Sequence, residues 1–203
     1  SWQIIKRFNL VMNFLKKLLN RQSFEEEKTK SQEVSLSLDD LFVHNFLSKG
    51  GKFLYCTNKK EVISNLKSIL VENSWEQIQL LDPTLLKYIN KEIETSETNQ
   101  KLPFFTSCEH LIADKGDILL SSNQLKSKKI TEFSENFIIY ASTSQIVKDT
   151  GQGLTGIKTS SKQNLPTNIS AIKNYRLKKN DDNFLNYGNS NSKNLYLLLF
   201  EDL

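Results

Sequence analysis

The sequence predicts an α/β fold, with a mostly parallel sheet carried by residues 49–203 and an amino-terminal helical extension and linker over residues 1–48. Three observations predict it. Short apolar runs read as buried strands: KFLYC at Lys52–Cys56, WEQIQLL at Trp75–Leu81, Ile118–Leu120, FIIY at Phe137–Tyr140 and LYLLLF at Leu195–Phe200. Stretches with helical spacing lie between several of them, and strands alternating with such helices give a parallel sheet covered on both faces. The last run is apolar at every position, which requires a strand with neighbours on both sides.

The totals are consistent with one domain. A chain of 203 residues, 38% apolar and with a mean hydropathy of −0.44, can bury a substantial core. Its 27 basic and 23 acidic residues leave a net charge of +4, a balance that does not call for nucleic acid. Cys56 and Cys108 are the only cysteines and share no C-x-x-C spacing. No zinc or iron–sulfur cofactor is therefore expected to be bound by this chain alone, and isolated thiols suit a reducing cytoplasm. No window supplies the roughly 18 apolar residues of a membrane span.

Residues 1–22 place Ile4, Ile5, Phe8, Val11, Met12, Leu15, Leu18 and Leu19 on one helical stripe. Lys6, Arg7, Lys16, Lys17 and Arg21 are basic, and no acid precedes Glu25. The expectation is a helix docking on its own domain or on a second copy, which would make a homo-oligomer. A membrane-surface helix or a targeting peptide is the sharper alternative. Met12 is the only methionine, so Ser1 and Met12 are both candidate starts.

Residues 23–37 read as a solvated linker. A helix begins near Ser37 with Asp40 three residues on, buries Leu41, Phe42 and Phe46, and stops at Gly50-Gly51. Thr57 or Asn58 caps the next, whose Val62, Ile63, Leu66, Ile69 and Leu70 share a face. Pro83 opens a helix bearing Leu85, Leu86, Ile89 and Ile93. Residues 94–101 form a polar loop, and Leu102–Phe105 returns to a strand. Ser144–Lys158 is partly helical, with Gly151, Gly153 and Gly156 giving it a looped end. Leu165–Lys173 is a turn into a strand or short helix, and residues 174–194 are exposed.

Polar residues cluster around two of the strands. Asp114-Lys115-Gly116-Asp117 precedes Ile118–Leu120, and Ser142-Thr143-Ser144-Gln145 follows Phe137–Tyr140. Buried strands flanked in this way build ligand crevices in open α/β sheets. The Gly116 turn could hold an anion on its amides while Asp114 or Lys115 positions it, and it is equally a good turn. The Ser142–Ser144 hydroxyls suit a carboxylate or phosphate, and equally a helix cap. Cys108 and His110 are two apart, too few for a metal site and with no assurance of contact as a thiol and its base. His44 reads as a boundary residue. Lys126, Lys128 and Lys129, and then Lys173, Arg176, Lys178 and Lys179 near Tyr175 and Tyr187, read as solvated loops rather than a nucleic-acid surface.

The order of these pieces resembles the LUD domain family, typified by lactate utilisation protein C, from about residue 50 onward. Cys108, Ala113-Asp114-Lys115-Gly116-Asp117-Ile118-Leu119-Leu120, Ser144-Gln145-Ile146-Val147, Leu165–Ile172 and Leu195–Asp202 carry the resemblance. It implies a Rossmann-like sheet of the sugar-phosphate isomerase and coenzyme A transferase type. It also implies a role in oxidising L-lactate to pyruvate with iron–sulfur partner subunits. Two departures stand out. The family's Glu-Thr-Gly is replaced by Asp114-Lys115-Gly116, and the Ser/Thr-Ala-Asp that follows the Pro segment is replaced by Ile169-Ser170-Ala171-Ile172.

Two functions follow as expectations. One is a LUD-type subunit offering a small anionic metabolite a crevice made by Asp114, Lys115, Gly116, Ser144, Gln145, Thr167 and Asn168. The other is a non-catalytic interaction module with a degenerate site.

Overall fold

The structure, a computed structural model, describes residues 36–90, 92–160, 165–175 and 192–202. The expected amphipathic helix over residues 1–22, most of the linker, and Arg176, Lys178, Lys179 and Tyr187 lie outside the described residues. The described residues form one compact unit.

Its elements are α1 (Leu38–Ser48), β1 (Lys52–Cys56), α2 (Lys59–Glu72), β2 (Gln77–Leu80), β3 (Glu94–Ser96), β4 (Phe104–Ser107), β5 (His110–Ile112), β6 (Asp117–Ser121), α3 (Ser122–Leu125), β7 (Asn136–Ser142), β8 (Ile146–Val147), α4 (Thr150–Ser160), β9 (Ile169–Ile172) and β10 (Asn194–Phe200). Short 3-10 turns at Pro83–Tyr88, Ile130–Glu132 and Thr143–Gln145 join them. The larger sheet has six strands, all parallel, in the order β1-β10-β7-β4-β2-β3. The smaller is a mixed sheet of four, in the order β8-β5-β6-β9.

Local chemistry explains the main elements. Ser37 Oγ accepts the Asp40 N–H at the start of α1, whose first turn also carries Asp39 and Asp40 where a helix dipole favours acids. Asn58 caps α2 through the Glu61 N–H. From α2, Val62, Leu66, Ile69 and Leu70 pack with Ile78, Leu80, Leu85, Phe105, Ile138 and Leu198 into the main core. Each such buried aliphatic or aromatic side chain contributes roughly 1.5–3 kcal/mol. β10 lies between β1 and β7, so Leu195 to Leu199 are all buried. Helix α1 packs against both β1 and β8 and so touches both sheets.

Several expectations are corrected. Pro83 opens a six-residue 3-10 turn rather than an α-helix. Ile89 and Ile93 reach the core from beyond it, while Leu86 is 51% exposed. Residues 94–101 are not all loop, because Glu94–Ser96 adds an edge strand beside β2. The glycines after Gln145 sit inside α4 instead of ending it. Gly153 faces Ile112 and Leu119 and Gly156 faces the His110 ring, so the absent side chains let the helix approach the small sheet. Tyr175 and Lys193, expected in an exposed segment, are buried. Among the described residues, no helix is long and apolar enough to cross a membrane.

Candidate functional site

The chain crosses from the large sheet to the small one twice, from β4 to β5 through Cys108-Glu109 and from β7 to β8 through Thr143–Gln145. The carboxyl-terminal ends of β4 and β7 therefore meet the starts of β5 and β8 along a seam. Connections also diverge here. β2 leads outward to β3, whereas β4, β7 and β10 succeed one another in the opposite direction. Such a switch point at the carboxyl edge of an open α/β sheet is where ligands bind.

Polar groups run along the whole seam. Past β10, the Asp202 carboxylate accepts from Thr143 Oγ1 (2.8 Å), Ser144 N (3.0 Å) and Ser144 Oγ (2.5 Å). Burial alone would raise this carboxyl, but hydrogen bonds from Ser144, Thr143 and Ser142 outweigh it and hold Asp202 well below the usual carboxylate range. Gln145 Nε2 donates to the carbonyls of Cys108 (2.6 Å) and Glu109 (3.2 Å), while its Oε1 accepts the Ser142 N–H. Glu109 Oε1 accepts from Ser121, Asn123 and Gln124. Ser122 then meets Asn168 O and the Thr167 N–H.

On the α2 side of the seam, Asp82 Oδ1 accepts from Thr84 N (2.9 Å) and Thr84 Oγ1 (2.7 Å). Its Oδ2 accepts from Ser107 Oγ at 3.2 Å, which joins the ends of β2 and β4. Tyr140 is the register partner of Ser107 on the neighbouring strand, and its hydroxyl is hydrogen-bonded to that of Tyr88 at 2.9 Å. Burial, the Tyr88 contact and the charge of Asp202 hold the Tyr140 phenol above its ordinary value. At the far end Tyr55 is pushed up to about 12 by burial and by the neighbouring Glu201 carboxylate.

Ser144 and Gln145, before β8, and Thr167 and Asn168, before β9, lie at the same end of the small sheet but at its two opposite edges, and Asp114, Lys115 and Gly116 lie at the other end, in the turn between β5 and β6. That turn is engaged by the protein itself. The amides of Asp114 and Gly116 donate to Lys148 O and Ile112 O, Asn45 Nδ2 donates to the Ala113 and Asp114 carbonyls, and Tyr175 OH donates to Gly116 O. Lys115 Nζ reaches Thr150 Oγ1 at 3.4 Å. Cys108 is buried, and burial and the Glu109 charge push its thiol well up, which makes it a poor nucleophile. His110 Nδ1 lies 3.3 Å from Gln145 O. Asp82, Ser107, Tyr88 and Tyr140 were missed by the sequence reading. Their only signal was position: Ser107 ends β4, Asp82 and Tyr88 border the turn after β2, and Tyr140 lies inside β7.

A groove of about 410 Å³, lined by Leu70, Val71, Trp75 and Ile93 with the Lys67–Glu92 ion pair, lies at the opposite, amino-terminal edge of the sheet. The convergent hydrogen-bonding groups are at the seam.

Residues 96–200 match the family model of the LUD domain. The chain belongs to the LUD domain family. A DUF162 family protein from Deinococcus radiodurans, solved by crystallography at 1.70 Å, is similar in structure. The two share 12% identity and a TM-score of 0.56, over 82% of this chain and 99% of that one. At that identity the likeness speaks for the fold alone. No curated protein matches the chain. The LUD match includes Ser107, Glu109, Ser144 and Gln145, whereas Asp82 and Asp202 lie outside it.

Proposed function

We propose that this LUD domain is the acid-binding subunit of an L-lactate-oxidising system, with partner subunits carrying the iron–sulfur clusters and the electrons. A single observation carries the reading. Polar side chains line the carboxyl edge of the large sheet, and past β7 and β10 Thr143 and Ser144 already hold a carboxylate, that of Asp202. Donors that orient one carboxylate have the chemistry to orient another, and Thr143 and Ser144 lie where β8 meets the seam. Exposed Ser144 and Asp202 can exchange partners at low cost, because water substitutes for each lost bond.

The test is calorimetric titration of the full chain with L-lactate, pyruvate and inorganic phosphate. Saturable L-lactate binding, weakened about tenfold in Ser144→Ala by loss of one hydrogen bond to a charged group, supports the reading. Lys115→Ala, at the other end of the hairpin, is the control and leaves affinity unchanged. Absence of binding by all three anions overturns it. The second reading, a non-catalytic interaction module, is favoured by the engagement of Gln145 and of the Asp114 and Gly116 amides with the protein's own backbone. On that reading a partner subunit is captured although no small acid binds.

A further inference from the structure

We infer that Asp202 is a built-in competitor at the acid site: its carboxylate occupies the Thr143 and Ser144 donors, and an acidic ligand binds only by displacing it. The inference rests on the acid-binding reading above and adds how that same site is regulated.

Thr143 and Ser144 hold this carboxylate by both of its oxygens. Oδ1 accepts from Thr143 Oγ1 at 2.8 Å and from the Ser144 amide at 3.0 Å, and Oδ2 accepts from Ser144 Oγ at 2.5 Å. Ser142 Oγ stands 3.0 Å from Ser144 Oγ. Donors spread over two oxygens match the planar fork of a carboxylate, not merely a negative point charge. A free acid entering this set meets the same three donors and, beside them, the negative charge it has displaced.

The geometry also lets Asp202 leave. Ser144 and Asp202 are both exposed, so rotation of one side chain carries the carboxylate into water without disturbing the sheet. The backbone is tied one residue earlier, where Glu201 N donates at 2.8 Å to the carbonyl of Cys56, the last residue of β1. Past that tie, Asp202 bonds to Thr143 and Ser144, and its own N–H reaches Thr143 Oγ1 at 3.4 Å. A carboxylate tethered so close to its donors competes at an effective concentration on the order of millimolar or above. The apparent affinity for an external acid is then reduced to the fraction of molecules in which Asp202 has swung out.

The structural alternative is that Asp202 only staples the end of β10 to the crossing from β7 to β8. The two differ in sign. Asp202→Ala opens the donors and removes the charge, so a competitor predicts tighter acid binding. A staple predicts weaker binding, because Thr143 and Ser144 lose their anchor. The full chain is titrated with acetate, which reproduces the Asp202 side chain, and with L-lactate. Asp202→Ala is expected to bind both about tenfold to a hundredfold more tightly than wild type, the range for hydrogen bonds to a charged group. Asp202→Asn keeps an acceptor oxygen without the charge and falls between the two. Ser144→Ala placed in the Asp202→Ala chain reverses the gain, which ties it to these donors and not to net charge. Acetate also raises the thermal midpoint of Asp202→Ala more than that of wild type, since a ligand stabilises according to its occupancy.

Acid binding that is unchanged or weakened in Asp202→Ala overturns the inference, and the acid-binding reading then stands on wild type alone. A gain that survives Ser144→Ala overturns the inference as well. Binding of neither acid by either chain overturns that reading and this inference together.

Discussion

Lys193 shows how far a single residue can depart from its sequence context. It ends an Asn- and Lys-rich stretch that reads as solvated, yet it is only 4% exposed, because the next residue begins β10 in the middle of the large sheet. Its Nζ donates to the carbonyls of Phe133 (3.1 Å) and Ser134 (2.9 Å) and lies 4.9 Å from the Phe137 ring centroid. Burial pushes the ammonium down to about 8, with Glu135 acting in the opposite direction. In the unfolded chain a lysine titrates near 10.4. Between those two values the unfolded chain binds the extra proton, so stability must rise with pH across that window. Below pH 8 the burial penalty is present in full, and its relief amounts to roughly 3 kcal/mol at most. Urea unfolding of wild type and Lys193→Met at pH 7, 8, 9 and 10 checks this. The stability difference shifts in favour of wild type as pH rises, and parallel profiles would sink the argument. Periodicity could not reveal this lysine, since one buried ammonium in a polar run leaves no pattern.

Elements were legible wherever their signal was local. The caps at Ser37 and Asn58, the stop at Gly50 and the apolar run of β10 each act within a few residues, and each appears where the sequence puts it. The Asp114–Gly116 turn was legible as a turn, but what it packs against was not, because that depends on α1 some 68 residues earlier in the chain. Gly116 has φ +64°, and a Cβ there would lie 2.5 Å from Phe46 N and 2.6 Å from Asn45 C, both backbone atoms of α1 that cannot step aside. Gly116→Ala therefore combines left-handed strain of about 1–2 kcal/mol with an overpacking cost of about 1–3 kcal/mol. A fall in Tm of roughly 5–15 °C follows for a domain of this size, measured by thermal unfolding. An unchanged Tm would mean that α1 does not sit on this turn. Gly116 thus serves helix docking, and Asn45 Nδ2 bonding to Ala113 O and Asp114 O reinforces the same contact.

At the scale of the molecule, the parallel sheet was legible, whereas of the second sheet only the Ile118–Leu120 strand was plain, and not that it pairs antiparallel in a sheet of its own. β8 has two residues, β5 has three and β9 has four, lengths at which neither alternation nor an apolar run distinguishes a strand from a loop. One link between the two sheets is equally invisible in sequence, because it is a side chain spanning both crossings. Gln145 lies on the β7-to-β8 crossing; its Nε2 donates to the Cys108 and Glu109 carbonyls of the β4-to-β5 crossing, and its Oε1 accepts the Ser142 N–H. Gln145→Ala strips partners from three partly buried backbone groups, a loss of about 2–4 kcal/mol if water replaces some of them. Gln145→Glu is worse, since a carboxylate oxygen would then face two carbonyl oxygens with no proton between them. If the seam couples the sheets, hydrogen exchange in Gln145→Ala will quicken in β5 and β8 together with the carboxyl ends of β4 and β7, while β1 and β2 keep their protection. Loss of protection confined to β8 would show instead that Gln145 holds only its own strand, and that the edge proposed to bind ligand is assembled independently by each sheet.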